Sequence, residues 1–297
     1  MNFSKYHALG NDYLVISQTE LGTPVESSRI QTICHRHFGL GGDGILAGPI
    51  SPSEPDFAKL AEQADIGDIT ENTLCGLRIF NPDGSEAEKS GNGLRIFCRY
   101  LYDTGQIAAN QSYYLLTLGG IVKVWLEEGA REIAVDMGQV SFQAADIPVQ
   151  GENGEVIERE IKTDSGMYQF SAATIGNPHC IVLTDNLSTE EVKKVGPLLE
   201  NHAAFPNRTN VQFMQVVDRH LLNIEIWERG AGYTLASGSS ACACAAIARK
   251  LDLCDPQVTV KMPGGKLNID IDDSFQLSLR GGVTAVAKGE LQDEIFS

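Results

Sequence analysis

Two stretches of the chain share one pattern of polar and apolar positions: a polar turn, a serine, a pair of small residues, and then a helix-length apolar run. The first is Asn81-Pro82-Asp83-Gly84-Ser85, leading through Ser90-Gly91-Asn92-Gly93 into Leu94-Arg95-Ile96-Phe97-Cys98-Arg99-Tyr100-Leu101. The second is Glu228-Arg229-Gly230-Ala231-Gly232, leading through Ser237-Gly238-Ser239-Ser240 into Ala241-Cys242-Ala243-Cys244-Ala245-Ala246-Ile247-Ala248. A run that is apolar almost all round predicts a buried helix, and a serine just ahead of it predicts an N-cap. Arg95 and Arg99 lie one turn apart on one face of the first helix. The second is built from Ala and Cys, small enough for strands to approach closely.

The rest of the pattern is mostly strand. Phe3 to Ile16 alternates around Gly10-Asn11-Asp12 and predicts strand, tight turn, strand. Ser28 to His37 reads as a short helix stopped by the glycine cluster 39–44, after which Ile45 and Leu46 resume an apolar strand. That cluster is not a phosphate loop, because no Lys-Ser or Lys-Thr follows it. Tyr113 to Met137 and Val258 to Ala287 are rich in strand formers interrupted by Gly pairs and acidic turns, which predicts hairpins or meanders. Ser188 to Leu199 reads as a helix with Thr189, Glu190 and Glu191 in its first turn.

The two serine motifs are offset by 147 positions, and the echo extends beyond them. Leu118-Gly119-Gly120-Ile121-Val122 recurs as Pro263-Gly264-Gly265-Lys266-Leu267, and Ala8-Leu9-Gly10-Asn11-Asp12 recurs as Thr174-Ile175-Gly176-Asn177-Pro178. The first half is longer between its Asn and its Ser. The excess matches the Pro-, Ser- and acid-rich stretch 51–74, read as an insertion that is acidic surface, a lid or a partner-binding loop. The expectation is an α+β chain of two pseudo-symmetric domains, each a β-barrel-like mixed sheet around a central helix. The halves are placed at 1–130 and 131–285, with a last strand over 286–297 returning to the first and a turn or boundary region at 150–154.

Composition narrows the classes. A chain of 297 residues with 42% hydrophobic content suits globular domains with proper cores. Its net charge of −16 argues against a nucleic-acid surface, which needs clustered Lys and Arg. There is no run of membrane-helix length and no basic-then-apolar leader, so neither a membrane nor a secreted location is expected. Seven cysteines without a regular spacing fit a reducing, cytoplasmic setting. Cys242 and Cys244 lack a second pair to complete a zinc site and read as small core residues. No metal, flavin, nicotinamide or pyridoxal signature is visible, so no cofactor is expected.

A capped helix start flanked by glycines presents free N–H groups and can hold a carboxylate, although one copy alone could be a plain helix cap. Two copies change the reading. Two such helix starts can close on one anion from opposite sides, setting one side chain on each face of an amino acid's α-carbon. That suits a two-base exchange of the α-proton, and the helix-end N–H groups favour the negative charge that develops.

The segments Gly10-Asn11-Asp12, Gly41-Gly42-Asp43-Gly44, 81–93, Gly176-Asn177-Pro178-His179-Cys180 and 228–240 together resemble those of diaminopimelate epimerase, in order and over nearly the whole chain. The resemblance implies cofactor-independent epimerisation of LL- to meso-diaminopimelate, a step of lysine and peptidoglycan precursor synthesis, and suggests a homodimer. Carried over by position, Asn11, Asn81, Asn177 and Asn210 are implied substrate ligands. Gly91, Asn92, Gly238 and Ser239 are the implied α-carboxylate cradle, and Arg229 the clamp for the distal carboxylate. His179 and Glu228 are implied supports of the catalytic pair.

In the family that pair is cysteine, where this chain has Ser90 and Ser237. A thiol with a reference pKa of ~8.5 can be drawn down to thiolate by a helix N-terminus, whereas an alcohol is a far weaker acid. Three readings stay open: an engineered double replacement, a divergent isomerase acting on another amino acid through a different base, and a non-catalytic amino-acid-binding homologue.

Overall fold

The computed structural model of the chain describes residues 1–22, 24–66, 73–130 and 132–296. They form two compact units, Met1–Asp136 with Gly281–Ser297, and Met137–Arg280.

In the first unit, Asn2–Ala8 turns through Leu9 and Gly10, both at positive φ (56° and 88°), into the antiparallel strand Asn11–Ile16. A two-residue turn with both φ positive matches the twist of a hairpin, and it makes Asn11 the first residue of the returning strand. Asn11–Ile16 pairs parallel with Ile45–Ile50, which pairs antiparallel with Thr73–Phe80. Thr73–Phe80 takes the short antiparallel strand Glu86–Ala87 and then, after the central helix Gly91–Asp103, the parallel strand Gln111–Thr117. A hairpin to Gly120–Leu126 follows, and Thr284–Glu290 pairs antiparallel with Asn2–Ala8.

The second unit repeats that order of pairings. Gly166–Thr174 is antiparallel to Pro178–Leu183, which is parallel to Asn210–Asp218, itself antiparallel to Leu221–Glu228. Leu221–Glu228 takes the short antiparallel strand Gly232–Thr234 and, after the central helix Gly238–Lys250, the parallel strand Gln257–Met262. The hairpin to Gly265–Ile271 completes the parallel with the first unit. The crossover between the parallel strands Pro178–Leu183 and Asn210–Asp218 carries the expected helix, Thr189–Glu200, whose cap Ser188 accepts from the Glu191 amide. Gln150 to Gly154 lies within this unit, with a turn at Gln150 and Gly151.

Both central helices are cores of their units. In Gly91–Asp103 every residue from Asn92 to Cys98 is buried, and in Gly238–Lys250 every residue from Ser240 to Ala248 is buried. At about 25 cal/mol per Å² of apolar surface removed from water, a buried face of this size is the main anchor for the strands around it. The fold is α+β, with strands wrapped about one helix in each unit. The helix Pro55–Gln63 in the predicted insertion packs Phe57, Leu60 and Ala61 against Ile50 and Leu116. That part is docked on its own unit, while 67–72 lies outside the described residues. No helix among the described residues is long and apolar enough to cross a membrane.

Candidate functional site

Each unit carries a cluster of the predicted residues at the start of its central helix. In the first, Ser90 is the N-cap, with φ −142° and ψ 114°, and its Oγ accepts from the Gly93 amide at 3.0 Å. The first in-helix hydrogen bond runs from Leu94 N to Ser90 O, so the amides of Gly91 and Asn92 precede it, as at any helix start. Gly93 is glycine for a steric reason. A Cβ there would lie 3.0 Å from Leu46 Cδ2 and 3.2 Å from both Cβ and Oγ of Ser90.

Asn11 and Asn92, 81 positions apart, meet directly: Asn92 Nδ2 donates to Asn11 Oδ1 at 3.0 Å. Arg95, fully buried, donates to Asn92 Oδ1 at 2.7 Å and so fixes which way that amide faces. The other end of Asn11 donates to Asp43 Oδ2 at 2.9 Å, and Asp43 Oδ2 also accepts the Asp12 amide at 3.1 Å. Arg36 bridges Asp43 and Asp12 at 2.6 and 2.8 Å, and Lys5 reaches Asp12 at 2.9 Å. Burial alone would raise the Asp12 carboxyl, but hydrogen bonds from Arg36 and Lys5 outweigh it and hold the group below the usual carboxylate range. The glycine cluster 39–44 makes this possible. A Cβ on Gly44 would collide with the Phe80 backbone oxygen and come within 2.6 Å of the Tyr13 ring, so only glycine fits there. Tyr13 OH in turn lies 3.4 Å from Ser90 Oγ.

Asn81 stands apart from this cluster. Its Nδ2 donates to Ser85 Oγ at 3.0 Å, and its backbone closes the same turn through Ser85 and Gly84. The structure places it at the end of Thr73–Phe80 as a turn residue, with no direct bond to Ser90, Asn11 or Asn92 among those described.

In the second unit Ser237 caps its helix at φ −143° and ψ 125° and accepts from Ser240 N at 3.5 Å. Gly238 and Ser239 occupy the first helical positions, and Ser239 Oγ lies 3.4 Å from Ser237 Oγ. Asn177 Nδ2 donates to Ser239 Oγ at 3.4 Å, and Asn177 Oδ1 faces His179 Nε2 at 3.0 Å. A carbonyl oxygen can only accept, so His179 carries its proton on Nε2. Burial pushes the His179 imidazole down to about 3, aided by the Arg229 charge and opposed by the Gln212 side chain, so the ring is neutral at ordinary pH. Behind it, the fully buried Gln212 donates through Nε2 to Ser240 Oγ at 3.0 Å. Ser240 stands at the position equivalent to Gly93, 147 positions further on.

A separate group surrounds the Glu228-Arg229-Gly230 turn. Asn210, buried, donates to Pro178 O at 2.9 Å and accepts the Arg229 amide at 3.0 Å. Its amide is thus already engaged with two backbone groups. Arg229 is exposed, with NH1 donating to Asn207 O at 3.1 Å, and Glu228 Oε2 accepts from Thr234 Oγ1 at 3.1 Å.

The seven cysteines are all free and buried. Burial raises the thiols of Cys75, Cys98, Cys180 and Cys244, so these four stay protonated at ordinary pH and supply no thiolate base. Among the described residues no group of three or more His, Cys, Asp or Glu side chains is placed to hold a metal ion. Sequence reasoning missed Tyr13, Arg36, Gln212 and Ser240 as parts of these clusters. Asp43 was visible only as a member of a glycine-rich motif.

The diaminopimelate epimerase family model matches residues 3–143 and 171–286. Diaminopimelate epimerase 2 of Nostoc sp. (strain PCC 7120) is 52% identical over 297 residues, covering all of this chain and 98% of that protein. Diaminopimelate epimerase of Pelotomaculum thermopropionicum is 35% identical over 295 residues, covering 98% of each. Among solved structures, a probable proline racemase from Agrobacterium radiobacter superposes with a TM-score of 0.69 at 11% identity, over 100% of this chain and 94% of that one. A hydroxyproline epimerase from Agrobacterium vitis gives 0.66 at 13% identity, over 98% and 92%. At these identities the two structures speak for the fold alone.

Proposed function

Because the chain belongs to the diaminopimelate epimerase family, and is an isomerase, we propose that it interconverts LL- and meso-diaminopimelate by α-proton exchange without a cofactor. The observation that carries the proposal is the pair of matching helix starts, each with a serine cap, two leading amides and an asparagine hydrogen-bonded into its first turn. In this reading the amides of Gly91 and Asn92, and of Gly238 and Ser239, receive the α-carboxylate. Arg229, exposed and forked, takes the distal carboxylate in bidentate fashion. Asn11, Asn81, Asn177 and Asn210 contribute through the donor and acceptor positions their structural bonds leave open.

The chemistry balances simply. With one serine Oγ deprotonated and the other a hydroxyl, the Cα–H bond breaks as its proton passes to the deprotonated Oγ, and the electron pair is held as a carbanion delocalised into the carboxylate. The O–H bond of the hydroxyl on the opposite face breaks to form the new Cα–H bond, leaving the negative charge on that oxygen. Ser90 and Ser237 stand at the two proton-transfer positions. Each Oγ accepts from an amide of its own helix, which favours negative charge on that oxygen. His179, neutral and buried, acts through Asn177 as a positioning residue, and Glu228 supports the turn that carries Arg229. An alcohol is a weak acid, so turnover is slow compared with a thiol at the same place. A cytoplasmic location, assembly as a homodimer, and the absence of membrane or nucleic-acid partners belong to the same proposal.

Proton NMR of the protein with LL-diaminopimelate in heavy water tests it. Loss of the α-hydrogen signal with appearance of the meso form supports the proposal. A ligand-induced thermal shift without exchange would instead favour an amino-acid-binding homologue without turnover. Exchange on another amino acid but not on this one would favour a divergent isomerase.

A further inference from the structure

We infer that Glu200 is a positioning residue that brackets the Glu228-Arg229 pair and thereby sets preference for a ligand with a second, distal carboxylate. The inference rests on the proposed role of Arg229. Glu200 is the last residue of the helix Thr189–Glu200, and its side chain is only 7% exposed. A buried carboxylate is normally held by several donors, and this one has three. Trp227 Nε1 donates to Oε2 at 2.7 Å, the Gly230 amide donates to Oε1 at 2.9 Å, and Arg208 NH1 donates to Oε1 at 3.1 Å.

The first two donors stand immediately before and immediately after Glu228-Arg229. One carboxylate therefore grips the chain on both sides of the pair. The amide between them, that of Arg229, is held by Asn210. Consecutive positions of this exposed turn are thus tied to buried side chains, and the Arg229 guanidinium is launched from a fixed backbone.

The helix can place Glu200 there because Gly196 lets it approach Trp227 closely. A Cβ on Gly196 would lie 2.6 Å from the Trp227 ring. An ionised carboxylate is acceptor-only, which suits two N–H donors arriving from opposite ends of the turn. Glutamine at this position could satisfy one of them, but its NH₂ would confront the other.

The test compares LL-diaminopimelate with L-lysine, which lacks only the distal carboxylate, by calorimetric titration of the whole protein. The native chain is expected to prefer the dicarboxylate. In Glu200→Gln that preference narrows about tenfold, with lysine affinity unchanged within about twofold. Glu200→Asp keeps the charge but is one methylene shorter, so it is expected not to restore the preference. Equal losses on both ligands, no loss on either, or full rescue by Glu200→Asp would overturn the inference. If Glu200→Gln does not fold, Trp227→Phe decides on the same criterion, since it removes one bracket and keeps the ring that packs on Gly196. A native chain with no preference for the dicarboxylate overturns the role of Arg229 itself, an outcome separate from any behaviour of the Glu200 variants.

Discussion

Ser90 and Ser237, 147 positions apart, cap two 13-residue helices with backbone torsions that agree within 1° in φ and 11° in ψ. Each hydroxyl accepts the amide three residues on. Two sites with the same local geometry are expected to respond in the same way to the same substitution.

Replacing both serines by cysteine should raise α-proton exchange of LL-diaminopimelate about 100-fold or more. That is the usual range for a competent general base, and a helix N-terminus lowers a thiol's pKa. Heavy-water NMR reads the rate. An unchanged rate in the doubly substituted protein would remove both positions from the proton path.

Gly93→Ala tests the close packing behind Ser90. The new methyl would press on Leu46 and on the serine itself, so stability should fall by about 1–3 kcal/mol, as for other overpacked cores. Urea unfolding measures it. The same substitution at the equivalent Ser240 removes atoms instead of adding them, and its cost has a different origin.

Ser240→Ala leaves the buried Gln212 Nε2 without its acceptor, an orphaned donor expected to cost about 1–3 kcal/mol. The pair Gln212→Leu with Ser240→Ala should cost less than the sum of the two single changes, because the double variant no longer leaves the Gln212 amide without its acceptor. A double-mutant cycle in urea gives the coupling; strict additivity would mean the bond contributes nothing.

His179 predicts a pH window. Its folded value is pushed down to about 3 from an ordinary 6.5, so protonation favours the unfolded chain. The contribution is complete above pH 6.5 and is lost as pH falls from there towards the folded value. By linkage the loss is about 2 kcal/mol at pH 5 relative to pH 8. His179→Gln should flatten that part of the stability curve, measured as urea midpoints between pH 8 and 5. Asp12, shifted down by Arg36 and Lys5, acts with the sign of a depressed carboxylate, its contribution being lost only below its ordinary value of 3.8.

Much of the architecture was legible because its signals are local. A serine cap, an apolar run and an alternating strand are each written within a few neighbouring positions, which is why the two central helices and the helix behind Ser188 could be placed from pattern alone. The repeat was legible for the same reason, since two copies of one local design carry the same turn chemistry. The candidate sites were legible in part. Asn11, Asn92, Asn177 and Ser239 do gather at helix starts, but Asn81 sits in its own turn and Asn210 is occupied by backbone.

By itself, then, the sequence determined where the helices begin, which residues cap them, which runs are buried, and that the design occurs twice. Tertiary structure decided which polar side chains hold the functional ones in place. Asp43 reaches Asn11 from 32 positions away, Gln212 reaches Ser240 from 28, and Glu200 reaches Trp227 and Gly230 from 27 and 30. Such partners have no periodicity and no neighbouring motif. A buried polar group needs a partner wherever the fold brings one, and only the folded chain says which residue that is.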